Sequence, residues 1–142
     1  YAPIEMKFDI KINHFQERYL ADLNAVGSLI YQTLVGVPIT GALVGETLLI
    51  APAIQHMNYS QSLPVFETAF FTLMDRLHQE CESRFGADIA KAVVDTVVEM
   101  CHPDYKKRGS PKALNTQLRT NMRRYTSKVN AILRLFKIKG LA

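Results

Sequence analysis

The sequence predicts an all-α fold: a helical bundle around a central buried helix, with residues 1–142 forming a single domain. One observation is the stretch Ala21–Gly36, which opens on Asp22 and begins a run without charge that lasts to Gly45. Another is the helical spacing of apolar residues in three later segments, 64–86, 88–101 and 121–137. Finally, only one short alternating segment reads as a strand, and a lone strand has nothing to pair with.

Leu23, Val26, Ile30 and Leu34 form one helical stripe, which Ala25, Leu29 and Thr33 broaden. A helix apolar on most sides belongs inside a core, so this helix is expected to be the one the others wrap around. Gly36 suits its C-terminal stop and Pro38 blocks simple continuation. Upstream, 1–19 reads as irregular, with Phe8, Ile10 and Ile12 alternating as a small strand would. Val37–Gln61 carries Pro38, Gly41, Gly45 and Pro52, and reads as a loop with one short helix near Thr47–Ile54. The next helix places Pro64 in its first turn. Its stripe is Phe66, Phe70, Leu73, Leu77 and Cys81, and Gly86 ends it. Asp88–Cys101 follows, with Ile89, Val93, Val97 and Met100 on one face and an acid in the first turn. Pro103 terminates it and excludes His102 from helical backbone. Tyr105–Leu114 is turn chemistry with a basic cluster. The last helix runs from Asn121 to Lys137, with Met122, Tyr125, Val129, Ile132 and Phe136 facing inward.

The length and a 48% hydrophobic, 21% charged composition suit a globular domain able to bury a core without staples. Cys81 and Cys101 share no short metal spacing and read as free thiols in a reducing, cytoplasmic setting. The chain opens Tyr-Ala-Pro-Ile-Glu, without a basic leader or an initiating Met, and is expected to be a fragment of a larger protein. The uncharged run raises a membrane question. Asn24, Gln32, Pro38 and the glycines, with no clear basic flank, argue for a buried helix and a Gly-rich loop instead, so no membrane partner is expected.

No catalytic, cofactor-binding or metal site is visible in the residues. His14, His56, His78 and His102 are scattered. His78 with Cys81 or Glu82 shares a helix face, but further ligands are missing. Cys101 ends an apolar stripe and reads as a buried thiol. Gly36, Gly41 and Gly45 lack phosphate-loop spacing. After Asp104 every charge is positive. Arg123, Arg124, Lys128 and Arg134 lie opposite the last helix's apolar stripe. They form a basic patch that suits either a solvated face or a nucleic-acid or acidic-protein partner. Sparse outward aromatics favour the solvated face.

Read in order, further stretches carry a resemblance. Tyr1-Ala2-Pro3-Ile4-Glu5 resembles the end of a protein kinase activation segment, commonly Ala-Pro-Glu, with the Glu in register. Ala21-Asp22-Leu23-Asn24-Ala25-Val26-Gly27 is similar to the start of kinase helix F, with Asp22 and Gly27 matching and Asn24 replacing the usual Trp. His102-Pro103-Asp104-Tyr105-Lys106-Lys107-Arg108-Gly109-Ser110-Pro111 resembles the loop between kinase helices H and I. The whole is most similar to bacterial serine/threonine kinase-like proteins, and implies the second half of a kinase C-lobe. The resemblance implies that Glu5 pairs with Arg108, and that Tyr1, Ala2 and Pro3 belong to a ledge for protein substrate. It also implies that Asp22, at the helix start, accepts backbone N–H groups of a catalytic loop. That loop, the Gly-rich loop, the ATP-binding Lys and the Asp-Phe-Gly magnesium motif have no counterpart in these residues. Mg-ATP is implied only for an active parent kinase, and the N-terminal part of that kinase, or another chain, is expected to cover the apolar helix. The alternative is a non-enzymatic helical module that uses the basic C-terminal face.

Overall fold

The computed structural model describes residues 1–8, 15–113, 116 and 121–141. Its α-helices are α1 (Phe15–Val35), α2 (Ile39–Ile50), α3 (Tyr59–Phe85), α4 (Ala87–Cys101) and α5 (Met122–Ile138). Short 3-10 helices occupy Ile4–Phe8, Pro52–His56 and Pro111–Ala113, and no strand occurs among the described residues. Phe8 therefore closes a 3-10 helix rather than opening a strand. Ile10, Ile12, His14 and Arg119 lie outside the described residues.

The central helix is α4, not α1: α4 packs against α1, α3 and α5. Its Ile89, Ala90, Val93, Thr96, Val97, Met100 and Cys101 are all buried. α1 lies to one side of it. The buried face of α1 is Leu20, Leu23, Asn24, Gly27, Ser28 and Tyr31, whereas Val26, Ile30 and Leu34 are half-buried and Leu29 is 49% exposed. The reason is steric. A Cβ at Gly27 would lie 2.4 Å from Cys101 Sγ and 2.7 Å from Met100 Cβ, so the two helices cross closest at the one side-chain-free position. That contact turns α1 away from its predicted stripe and brings Asn24 and Ser28 inward, where each finds a partner. Asn24 Nδ2 donates to the Tyr1 carbonyl (3.2 Å), and Ser28 Oγ accepts from Ile39 N–H (3.2 Å).

α2 fills much of the span read as a loop. Pro38 has extended backbone at its N-cap, where a missing N–H is harmless. The helix then buries Ile39, Thr40, Leu43 and Thr47 against its neighbours. The short helix expected at Thr47–Ile54 is divided between the last turn of α2 and the Pro52–His56 turn.

α3 starts five residues before Pro64. Asn58 caps it reciprocally: its side chain accepts from Gln61 N–H (3.0 Å), and the Gln61 side chain accepts from Asn58 N–H (3.1 Å). Pro64 therefore sits within the helix. The predicted stripe of α3 is buried throughout. Gly86, at φ +90°, makes the α3–α4 corner. On α5, Tyr125 and Ile132 are buried and Phe136 packs edge-on against Phe85, while Met122 is exposed.

Among the described residues no single helix is long and apolar enough to cross a membrane. α1 and α2 pass that test only as a pair bent by 75°.

Candidate functional site

The site is built on the loop that follows α4. Once Pro103 has ended the helix, the chain is folded back by short-range bonds. Asp104 Oδ1 accepts from Lys106 N–H (2.9 Å) and the Asp104 carbonyl from Lys107 N–H (3.0 Å). Gly109, at φ +104°, donates its N–H to the Glu99 carbonyl at 2.7 Å. His102 Nδ1 accepts from Asp104 N–H (3.1 Å), and the Tyr59 hydroxyl donates to the Pro103 carbonyl (2.6 Å). This loop delivers Arg108 into the interior.

The structure brings Arg108 and Glu5 together across 103 positions of sequence. The guanidinium is 0% and the carboxylate 1% exposed. Arg108 Nη1 and Nη2 donate to the two oxygens of Glu5 at 2.7 and 3.0 Å. The remaining N–H groups turn to backbone. Nε and Nη2 donate to the His102 carbonyl (3.1 and 2.9 Å), and Nη1 to that of Leu20 (3.3 Å). The fork thereby joins the Ile4–Phe8 turn, α1 and the α4–α5 loop. Only Arg has the donors and the planar geometry for this.

Tyr1, Ala2 and Pro3 lie beside this junction, Pro3 buried and the other two exposed. Their backbone is tied down: besides Asn24, Thr40 Oγ1 on α2 donates to the Ala2 carbonyl (2.8 Å), and the Tyr1 hydroxyl meets Gln32 Oε1. Asp22 departs from expectation. α1 continues upstream of it, so Asp22 is an exposed mid-helix residue rather than a cap, and no hydrogen bond reaches its side chain among the described residues.

The basic patch is divided. Arg124 and Lys128 both turn to Glu99 on α4, at 3.2 and 2.7 Å, and this contact raises the Arg124 pKa. Arg123 and Arg134 are exposed. Two of the four basic residues thus tie α5 to the bundle, leaving a thinner cationic face than the sequence suggests. Glu99 was the missed partner, and its place in line with Lys91 and Asp95 on the polar flank of the predicted helix was the available signal.

The two thiols are buried. Burial pushes Cys101 up to about 12 and also raises Cys81, the reverse of what a nucleophile needs. Burial lowers the pKa of His102, which packs against Phe70 and Phe71 with Glu67 3.9 Å from Nε2. His78 faces Glu82 at 3.8 Å on an exposed helix surface. Among the described residues no group of three or more His, Cys, Asp or Glu is placed to hold a metal ion. What the geometry of the junction does show is backbone held in place: the Arg108 fork ties the Ile4–Phe8 turn, α1 and the α4–α5 loop together.

Comparison with protein-family models, with curated proteins and with solved structures returned no match.

Proposed function

We propose that this chain is the C-lobe segment of a serine/threonine protein kinase or pseudokinase, serving as the substrate-side scaffold. Transfer from Mg-ATP to a protein hydroxyl would then need a nucleotide-binding part not contained in these residues. The observation that carries the reading is the bidentate Glu5–Arg108 pair, the link that the resemblance assigns to the end of the activation segment and the loop after helix H. In this role the pair does no chemistry. It holds Tyr1–Pro3 at a fixed height beside α1, so that a peptide laid along them meets a rigid edge. The outer side of α1 lends further support. Leu29 is exposed there and Val26 and Ile30 are only half-covered, an apolar surface of the kind a missing neighbouring element would cover.

The test begins with the native polypeptide, isolated intact and weighed against the 16.0 kDa of these residues. A larger mass, with upstream sequence that binds Mg-ATP in a thermal-shift assay, is the expected result. Transfer of label from γ-labelled ATP to Ser or Thr of a mixed protein substrate then separates an active kinase from a pseudokinase. A native chain of 16.0 kDa with no associated subunit that binds ATP overturns the proposal.

A further inference from the structure

A groove of about 600 Å³ lies between the second half of α1, α2 and the middle of α3. Leu34, Leu49, Leu73 and Leu77 give it aliphatic walls. Its polar groups are few: Tyr31 on α1, Glu46 on α2, and Arg76 and Glu80 on α3. A largely apolar recess of this size with a few polar groups is the form that small-molecule sites take.

The group that points to a ligand is the Tyr31 hydroxyl. Tyr31 is 2% exposed, and its hydroxyl has no hydrogen-bond partner among the described residues. Unlike the Thr47 hydroxyl, it is not sealed from solvent. Arg76 and Glu46 are charged groups that act on it, and both line the groove, so the hydroxyl lies on the groove side of the ring. Burial raises its pKa, so at neutral pH it is a donor without an acceptor. Arg76 adds a second donor. Its Nη1 and Nη2 donate to Glu46 at 2.6 and 3.0 Å, while its Nε has no acceptor among the described residues. The carboxylates of Glu46 and Glu80 supply acceptors in the same groove.

We infer that this groove binds a small aliphatic amide, whose carbonyl accepts from Tyr31 and whose hydrocarbon chain lies along Leu34, Leu49, Leu73 and Leu77. The head group follows from the mixed lining. An amide both accepts and donates, so it answers the Tyr31 and Arg76 donors and the Glu46 and Glu80 acceptors together. A carboxylate only accepts, and it would meet two acids against one cation. An ammonium only donates, and it leaves the Tyr31 proton without an acceptor. A single chain fits better than a peptide, because each further peptide unit brings polar groups that aliphatic walls cannot pair. The size agrees: an apolar cavity of about 150 Å³ holds benzene, so this groove takes a chain of about eight carbons with its head group. The inference rests on Tyr31 and the groove and goes beyond the kinase reading, which neither outcome alters.

The experiment titrates the 142-residue chain, labelled on its Ile, Leu and Val methyl groups, with octanamide, octanoate and octylammonium at pH 7. Saturable shifts are expected at Leu34, Leu49, Leu73 and Leu77 and not at Ile4 or Ile54, which line a separate cavity. Octanamide is expected to bind about fivefold more tightly than either charged probe, and Tyr31→Phe to remove that margin. Gly45→Leu blocks the groove: Gly45 lines it, and an added Cβ there meets nothing within 4 Å. The octanamide shifts then vanish while the thermal midpoint does not fall. Equal affinity for the three probes, a preference that survives Tyr31→Phe, or shifts that survive Gly45→Leu overturn the inference. So does tighter binding of an acetylated tri-leucine amide, which gives the groove to a peptide. The same shifts on raising protein concentration without a probe give it to a second copy and overturn the inference as well. The three-probe ratio in the unaltered chain decides the matter even where a variant fails to fold.

Discussion

Arg108→Ala tests the junction most directly. The guanidinium is wholly buried and donates to both oxygens of Glu5 and to the carbonyls of His102 and Leu20. Truncation leaves Glu5 as an unpaired carboxylate in a dry site and two carbonyls without donors. Removing one partner of a buried pair costs about 3–5 kcal/mol. The orphaned carbonyls place this case at about 4 kcal/mol, since such contributions do not simply add. A domain of this size has only about 5–15 kcal/mol of stability, so the loss is a large share and lowers Tm by on the order of 10 °C. Glu5→Ala is expected to be about as harmful, because it strands the cation. The informative variant is the double replacement Glu5→Leu/Arg108→Met. Filling both positions with apolar groups removes the unpaired charge along with the pair, so the double variant is expected to be more stable than either single. Urea unfolding followed by circular dichroism measures all three. A loss below about 1 kcal/mol for Arg108→Ala, or single losses that add in the double variant, would refute the account of a buried, mutually dependent pair.

The remaining predictions concern the same core. Gly27→Ala places a methyl 2.4 Å from Cys101 Sγ and 2.7 Å from Met100 Cβ. Overpacking of about 1–3 kcal/mol outweighs the roughly 1 kcal/mol of helix propensity gained, and adding Cys101→Ala restores part of the loss in the same unfolding assay. His102 has its pKa lowered by burial, so the unfolded chain takes up its proton first as pH falls through the ordinary value of 6.5. Stability should decline from pH 7.5 to pH 5.5, and the decline should shrink in His102→Gln; an identical pH slope in that variant would exclude His102 as its source. Cys81 and Cys101 are buried with raised pKa values. Neither should react with a thiol reagent at pH 8 within minutes unless denaturant is added; fast labelling of Cys101 in the folded protein would contradict the packing of α4 against α1, and fast labelling of Cys81 the burial of the α3 stripe.

Some elements were legible in the sequence because their signals are local. α4 was expected at Asp88–Cys101 and occupies Ala87–Cys101, since Gly86 and Pro103 mark its ends and its stripe has one clear face. The buried stripe of α3 was legible for the same reason. Its start was not, because Pro64 was a plausible first-turn residue and outweighed the quieter Asn58–Gln61 capping box. α2 was missed for a different reason. Ile39–Ile50 is apolar on nearly every side and punctuated by glycine, so no face stood out, and the burial of Leu43 and Thr47 is what selects a helix there.

What the residues alone determined is an all-helical chain with helix ends at Gly36–Pro38, Gly86 and Pro103, because backbone propensity and hydrophobic period act over a few positions. Which helix lies at the centre was settled only in three dimensions. Gly27 permits a close crossing with Cys101, and α4, which packs also against α3 and α5, becomes the axis while one side of α1 stays open. The same holds for Arg108. Composition marks it as one of many cations after Asp104; the resemblance named its pairing with Glu5, and the path of the chain, which closes 103 positions into one buried bidentate contact, is what separates it physically from the exposed Arg123 and Arg134.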